Sequence, residues 1–330
     1  ALAVTVETST DLSTEIVRLT PDAKKYAANA RASNTTKAYR GDVKRFLAWC
    51  AREPNPVVPL PAEPETVANY ISHLANSGLK MATINRALVA ISERHRAAGA
   101  AGEPNPCRHD GVRTVRQGIA RSIARSSGRA PKKKTAFPLD SLKTFARSCP
   151  ETLTGLRDRA LVLIGFVGAF RRSELVGLDV ADVEYFPLGA TVTLRKSKTD
   201  QKGLGVAVGI PIGQDPKCCP VQALRAWLEA AHITDGPLFR GVDRHGHVSA
   251  ERLCDRTVAR IVKSACLATG LDPTTYAGHS LRSGFATAAI LADKTETSTM
   301  RQTRHKSPQI FRTYVQAATV FSDCAASGLL

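Results

Sequence analysis

Residues 278–284 read GHSLRSG, and this short segment is the most informative stretch of the chain. His279 precedes Arg282 by three residues. Residues three apart are neighbours on a helix surface, so the two side chains are expected to project to one side of a helix. A histidine at a helix start is often only a cap, but an H-x-x-R that begins directly after Gly278 is a more specific signal. The segment predicts a helix from Ser280 that presents an imidazole and a guanidinium together.

A second segment, residues 304–315, reads RHKSPQIFRTYV and places His305 nine residues before Tyr314. Ser307 and Pro308 are typical of the cap and the first position of a helix, which would carry Tyr314. A tyrosine in a helix is far more often a core residue. A catalytic phenol, which ordinarily holds its proton at neutral pH, would need cationic neighbours to act as a nucleophile.

A third segment, residues 168–175, reads GAFRRSEL and contributes another candidate guanidinium. Arg171 directly follows the apolar run LVLIGFVGAF, which would anchor it at the inner end of a buried helix. Either Arg171 or Arg172 could be a simple surface charge. A planar guanidinium fork suits two nonbridging phosphate oxygens. Glu174 is expected either to orient a catalytic side chain or to cap a helix.

A lysine-rich turn, residues 195–203, reads RKSKTDQKG and lies between two alternating segments, TVTLR and GVAVGI. The alternation predicts two strands of a hairpin around the turn. Lys196, Lys198 and Lys202 are all candidates for a catalytic role there. In most proteins, the lysines of such a turn only keep the surface soluble.

These residue types together suit the cleavage of a phosphodiester. The phosphate under attack becomes a crowded, doubly charged species, so a site that lacks a metal needs two fixed guanidiniums, a proton donor for the leaving 5′ oxygen, and a nucleophile. The four segments supply all of these groups. Any one segment is a weak signal, but their order along the chain is a strong one.

In these segments the chain resembles the tyrosine recombinase (phage integrase) family. The family pattern is an Arg followed three residues later by Glu, a Lys in a β-turn, H-x-x-R, and a His nine residues before the Tyr. The resemblance selects Arg171 over Arg172 and Lys198 over Lys196. The catalytic residues that it implies are Arg171, Lys198, His279, Arg282, His305 and Tyr314, supported by Glu174.

The resemblance also implies a role for each side chain. Lys198 would protonate the leaving 5′ oxygen, and His279 would bind a phosphate oxygen or handle the proton of the nucleophile. His305 would add another hydrogen bond to the phosphate. The chain departs from the family where Leu-Gly usually precedes this histidine, because Thr303 and Arg304 stand there and add a charge near the site.

The charge of the chain predicts an extended polyanionic partner. The net charge is +17, and residues 80–134 hold 13 Lys and Arg against three acidic residues. Lys and Arg that displace counterions from phosphates supply most of the sequence-independent affinity for DNA. A merely basic soluble protein is the alternative interpretation of the charge alone.

One predicted helix carries much of this charge. Its apolar stripe comprises Val112, Val115, Ile119 and Ile123, and its arginines lie away from that stripe. A solvated basic face is the alternative to a face directed at DNA. The candidate DNA-binding residues of this helix and of the following segment are Arg113, Arg116, Arg121, Arg125, Lys132, Lys133 and Lys134.

The hydrophobic periodicity predicts two domains of different class. Residues 1–22 are expected to be a flexible arm and residues 23–125 an all-α bundle, the SAM-like core-binding domain of the family. Residues 126–138 predict a basic linker. Residues 139–316 predict a mainly helical α+β domain with a small antiparallel sheet, which the resemblance implies is a catalytic domain of the DNA breaking-rejoining fold. The resemblance also implies that residues 317–330 dock on a neighbouring protomer.

Other ligand classes have weak support. His245, His247 and Cys254 could suggest a metal cluster, but a fourth ligand is missing and a polar hairpin is favoured, so no metal and no cofactor are expected. Eight scattered cysteines predict reduced thiols. No apolar run is long enough for a membrane helix and no signal peptide pattern opens the sequence, so a cytoplasmic, DNA-containing compartment of a bacterium or phage host is expected.

The resemblance implies a site-specific recombinase or integrase that cleaves duplex DNA through a 3′-phosphotyrosyl intermediate without metal or ATP. Four protomers would assemble on two recombination sites and exchange strands through a Holliday junction. A type IB topoisomerase, which shares this chemistry, is the nearest alternative. A non-catalytic DNA-binding regulator on the same scaffold is the other.

Overall fold

The chain folds into two units, Ala1–Lys132 and Lys133–Leu330, in the computed structural model. The structure describes residues 20–29, 33–52, 57–98, 104–126, 134–195 and 205–318. The first unit is helical in its described part, and the second is mainly helical with two small antiparallel sheets, so the predicted fold class is confirmed. Residues 1–19, most of the predicted arm, lie outside the described residues.

The first unit is a helical bundle with one apolar core. Its described α-helices are α1 Pro21–Asn29, α2 Ser33–Cys50, α3 Pro64–Asn76, α4 Met81–Ala97 and α5 Asp110–Ser126. Phe46, Tyr70 and Ile91 are among its almost fully buried core residues. Helix α5 is the helix predicted from the apolar stripe at Val112, Val115, Ile119 and Ile123, whereas the short polar helix α1 was not predicted.

One charged side chain is buried in this bundle, on α2. Asp42 is 1% exposed. Its Oδ2 accepts a hydrogen bond from Nε of Arg86 on α4 at 2.7 Å, and Arg45 pairs with its other oxygen. Arg86 and Arg45 thus satisfy a carboxylate that would be costly to bury alone.

The second unit is built around a nearly all-buried central helix. Its described α-helices are α6 Leu139–Ser148, α7 Leu153–Val167, α8 Arg172–Gly177, α9 Pro220–Ala230, α10 Asp255–Ala268, α11 Ser280–Leu291, α12 Glu296–Thr303 and α13 Pro308–Ala318. Helix α7 is buried at 11 of its 15 positions. Residues 160–166 of this helix are apolar and buried on every face, and such a segment belongs inside a core.

The strands form two antiparallel sheets on this helical core. Strands β1 Val183–Phe186, β2 Gly189–Leu194 and β3 Val206–Pro211 pair in sequence order. The predicted hairpin is therefore confirmed, while its lysine-rich tip at 196–204 lies outside the described residues. Strands β4 Arg240–Val242 and β5 Val248–Arg252 form the second sheet, which confirms a polar hairpin at His245 and His247.

Helix α11 starts at Ser280, as predicted, and packs against α7 and α13. The segment before α6 also lies along α11, because Phe137 N–H donates to the Ser280 carbonyl at 2.9 Å and the Phe137 ring is 1% exposed. A Cβ at position 284 would lie 2.3 Å from the Phe137 carbonyl oxygen. Gly284, the last residue of GHSLRSG, therefore allows the backbone of Phe137 to lie directly against α11. Among the described residues, the search for a helix long and apolar enough to span a membrane found none.

Candidate active site

Arg171 is held at the junction between α7 and α8 by Glu174. Helix α7 ends at Val167, and a turn through Ala169, whose φ is 45°, brings Arg171 to the N-cap of α8. Oε2 of Glu174 accepts the Arg171 backbone N–H at 2.9 Å, and Oε1 pairs with the Arg171 guanidinium. Glu174 thus both caps helix α8 and orients the Arg171 side chain, the two contacts that the sequence left as alternatives.

Glu174 stays ionised although it is buried. Burial alone would raise the pKa of its carboxyl, but the hydrogen bonds from Arg171 and the charge of Arg304 outweigh burial and hold the pKa below its ordinary value. The carboxylate can therefore act as a fixed negative anchor for a guanidinium at neutral pH.

Arg282 is buried in the first turns of α11 and is only 1% exposed. Its Nη1 donates to the Ala169 carbonyl at 2.8 Å. Its Nη2 is also buried but makes no hydrogen bond to any described residue. Burial, followed by the charges of Arg171 and Arg304, lowers the pKa of Arg282 to about 10, so the side chain remains charged at neutral pH. A charged, buried donor without a partner is suited to an anionic ligand.

His279, at the N-cap of α11, contacts Tyr314 on α13. Nε2 of His279 lies 3.2 Å from the Tyr314 hydroxyl oxygen. The His279 side chain is partly exposed to solvent. Desolvation by neighbouring protein atoms, followed by repulsion from Arg282 and Arg171, still lowers its pKa below the ordinary value. The imidazole is therefore neutral at pH 7 and, with its proton on Nδ1, can accept the phenolic proton.

His305 lies beside the ring of Tyr314. The two ring centroids are 5.5 Å apart, and His305 Nδ1 lies 2.8 Å from the hydroxyl oxygen of Thr303. Desolvation, followed by repulsion from Arg282, Arg171 and other nearby charges, lowers the pKa of His305 to about 4. This imidazole is also neutral at pH 7.

Arg304 is a buried member of the same cluster whose contacts the motif did not predict. Its Nη2 lies 3.1 Å from Oε2 of Glu174. The sequence showed an arginine directly before His305, and this indicated an added positive charge near the site. It did not indicate that this arginine pairs with Glu174.

The structure thus brings together six residues from three separate segments of the second unit: Arg171, Glu174, Arg282, His279, His305 and Tyr314. Lys198 and its competitors Lys196 and Lys202 lie outside the described residues. Two guanidiniums, two neutral imidazoles and a phenol in one cluster can bind a phosphate diester and deprotonate a hydroxyl beside it.

Two family matches cover most of the chain. Residues 137–319 match the phage integrase family, and residues 25–102 match the N-terminal SAM-like domain of phage integrases. The chain belongs to the phage integrase family of tyrosine recombinases. It is 40% identical over 309 residues to the integrase/recombinase xerD homolog of Selenomonas ruminantium, which covers 93% of this chain and 89% of that protein.

Solved structures with the fold of this tyrosine recombinase include two DNA complexes. XerH site-specific recombinase bound to palindromic difH substrate has a TM-score of 0.59 at 15% identity, over 90% of this chain and 79% of that one. A lambda integrase tetramer bound to a Holliday junction has a TM-score of 0.57 at 16% identity, over 88% of this chain and 74% of that one. At these identities the likeness shows the fold alone.

The predicted DNA-binding arginines of the recombinase lie along α5. Arg121 and Arg125 are exposed and have no carboxylate partner among the described residues. Arg113 pairs with Asp110 at 3.0 Å, and Nη1 of Arg116 lies 3.5 Å from the Asn85 side-chain oxygen.

The predicted basic linker is described only at its end. Lys132 and Lys133 lie outside the described residues. Nζ of Lys134 donates to the Thr274 carbonyl at 2.6 Å, and Thr135 N–H donates to the Thr275 carbonyl at 3.0 Å. Lys134 is therefore held against the second unit, just before the segment that packs on α11.

Proposed function

We propose that this recombinase cuts DNA by forming a covalent bond between Tyr314 and a 3′ phosphate. The observation that carries the proposal is the 3.2 Å contact between the Tyr314 oxygen and Nε2 of His279, next to the buried, unpartnered Nη2 of Arg282. The phenolic oxygen attacks the scissile phosphorus, the bond from phosphorus to the 5′ oxygen breaks, and the phenolic proton passes to His279.

Arg171 and Arg282 bind the nonbridging oxygens of the phosphate and form what we call the phosphate clamp. Both are oriented before DNA arrives, Arg171 by Glu174 and Arg282 by the Ala169 carbonyl. Donors that are fixed in advance stabilise the charge that develops in the transition state without a reorganisation cost. His305, beside the Tyr314 ring, supplies a further hydrogen bond to the phosphate.

Lys198 protonates the leaving 5′ oxygen from the tip of the hairpin between β2 and β3. The support for this role is the family pattern and the hairpin itself, which ends its described pairing at Leu194 and Val206. A general acid is needed because an alkoxide is a poor leaving group.

Rejoining reverses the same chemistry on a partner duplex. The freed 5′ hydroxyl attacks the phosphotyrosine of the partner strand and releases the Tyr314 oxygen. The energy of the phosphodiester is retained in the covalent intermediate, so the exchange requires no ATP. Two rounds of exchange in a homotetramer would pass through a Holliday junction, and the likeness in fold to a tetramer solved on such a junction supports this assembly.

Residues 23–125 hold the duplex from the helical bundle, with the basic face of α5 and the linker at 126–138 along the phosphate backbone. The exposed Arg121 and Arg125 support this placement. Residues 139–316 carry the chemistry, and residues 317–330, of which 319–330 lie outside the described residues, dock on the neighbouring protomer.

Covalent capture from a random library tests the proposal and requires no defined target sequence. The protein is incubated with randomised duplexes that carry a nick, so that cleavage next to the nick releases a short fragment and traps the adduct. The trapped duplexes are sequenced, and two copies of the selected sequence are then mixed with the protein. We expect a defined sequence and recombinant joints between the two duplexes.

Other outcomes would identify the alternatives. Relaxation of supercoiled plasmid without recombinant joints would indicate a type IB topoisomerase. Selective binding without any adduct would indicate a regulator.

A further inference from the structure

Arg304 combines two unfavourable features in one residue. Its backbone is left-handed, with φ 55° and ψ 40°, at the end of α12. This conformation is unfavourable for a residue with a Cβ, and glycine avoids the cost. Arg304 is also buried, which removes water from its guanidinium. A residue with both features persists only where the surrounding contacts compensate for them.

Most contacts of its guanidinium are directed to the turn that follows α7, and Nη1 also donates to the Gln302 carbonyl of α12 at 2.7 Å. Nη1 donates to the Gly168 carbonyl at 2.9 Å, and Nη2 donates to the Ala169 carbonyl at 2.8 Å and to Oε2 of Glu174 at 3.1 Å. The guanidinium carbon lies 5.1 Å from the centroid of the Phe170 ring. Arg304 therefore binds the C-terminal carbonyls of α7, where a positive charge is also favoured by the helix dipole.

Two of these acceptors are shared with the phosphate clamp. Glu174 holds both the backbone N–H and the guanidinium of Arg171. The Ala169 carbonyl accepts from Arg282 Nη1 at 2.8 Å, the same distance as from Arg304. Arg304 thus contacts the anchor of each clamp arginine, although neither arginine touches it through a hydrogen bond.

We propose that Arg304 is a positioning residue for strand cleavage, which fixes Glu174 and the Ala169 carbonyl so that Arg171 and Arg282 keep the geometry of the phosphate clamp. The inference rests on the proposed function. Arg304 is buried and donates to both shared acceptors, so it positions the clamp through them.

The direct test replaces Arg304 with glycine, which accepts the left-handed backbone and removes only the side chain. The trapped-adduct assay on nicked DNA gives the cleavage rate in a single turnover, and the Kd for the same duplex is measured separately. We expect cleavage to slow by about 10-fold to 100-fold with an unchanged Kd, because a small displacement of fixed donors reduces rate more than binding. Arg304→Lys keeps the charge but lacks the planar fork, so it is expected to recover only part of the rate.

A matched control separates this effect from the change in backbone. Asp293 has φ 54° and lies just after α11, outside the cluster. Asp293→Gly makes the same replacement of a charged left-handed residue and should cleave at the wild-type rate.

A double-mutant cycle tests the route through Glu174. If Arg304 acts by fixing this carboxylate, the defects of Arg304→Gly and Glu174→Gln should combine to less than their product. Independent, multiplicative defects would overturn the inference, as would wild-type cleavage by Arg304→Gly. A parallel loss of DNA affinity and thermal stability in both Arg304→Gly and Arg304→Lys would also overturn it, because Arg304 would then be a structural residue.

These failures are distinct from failure of the proposed function. If Tyr314 is not the nucleophile, wild-type protein and Tyr314→Phe give the same adduct or no adduct, whatever residue stands at position 304.

Discussion

The two halves of the candidate site are fixed to different degrees. In the phosphate clamp, Arg282 is 1% exposed and is tied to the end of α7, and Arg171 is tied to the buried Glu174. The pair formed by His279 and Tyr314, which we call the nucleophile pair, lies nearer to solvent and is joined by one contact of 3.2 Å.

The difference indicates separate physical tasks. The clamp must hold positive charge in place before a phosphate binds, which requires buried anchors. The nucleophile pair must let the phenolic oxygen move onto phosphorus and back again, which a single contact permits. Substitutions in the clamp should therefore affect both fold and rate, whereas substitutions in the nucleophile pair should affect chemistry alone.

The largest expected effect comes from Tyr314→Phe. The change removes one oxygen and preserves the ring, so we expect normal DNA binding, normal thermal stability and complete loss of the covalent adduct. Gel separation of protein-linked DNA measures the loss. Tyr26→Phe, at a site that is 75% exposed on α1, is the control and should cleave normally. An adduct that survives in Tyr314→Phe would mean that the nucleophile is another residue.

The next largest effect is expected in the clamp. Arg171→Lys and Arg282→Lys keep the charge but lose the fork, and cleavage should fall by about two to three decades, as when a fixed oxyanion donor is lost. Unlike Tyr314→Phe, Arg282→Lys should also lower the melting temperature, because the bond to the Ala169 carbonyl is buried. Arg240→Lys is the control, since Arg240 also donates to backbone carbonyls but lies on β4. Normal cleavage by a clamp variant would remove that arginine from the site.

Lys198 should matter only for a poor leaving group. We expect Lys198→Ala to slow cleavage by roughly two to three decades on normal DNA, within the usual range for a general acid. A bridging 5′ phosphorothiolate leaves without protonation, so this substrate should rescue Lys198→Ala but not Arg282→Ala. Equal defects on both substrates would transfer the acid role to Lys196 or Lys202.

The smallest effect concerns pH and His305. Its pKa is about 4 in the folded protein and 6.5 in the unfolded chain, so the unfolded chain binds the proton more readily between these values. The free energy of unfolding should therefore fall as pH is lowered from 6.5 toward 4, and less steeply in His305→Asn. Urea denaturation across this range measures both slopes. Identical slopes would show that His305 is not desolvated between the clamp and Tyr314.

Local spacing predicted much of the candidate site. The H-x-x-R spacing placed His279 and Arg282 at the start of α11, and Ser-Pro placed Tyr314 on α13, because both inferences depend on helix geometry within a few residues. The hairpin of β2 and β3 was predicted for the same reason.

Contacts between distant segments were not predictable in this way. Arg304 pairs with Glu174 across 130 residues, from a left-handed backbone at the end of α12. Asp42 is buried because Arg86 reaches it from another helix, and Phe137 is buried because Gly284 leaves space for its backbone. Each depends on tertiary packing that periodicity does not encode.

Identification of the amino acid that carries the DNA tests the central claim most directly. The adduct trapped on nicked DNA is digested with a protease and a nuclease, and the nucleotide-linked peptide is sequenced by mass spectrometry. The account predicts a 3′-phosphate ester on Tyr314, in the peptide that contains QIFRTYV. A nucleotide on any other residue, or a 5′-phosphate linkage, would contradict it.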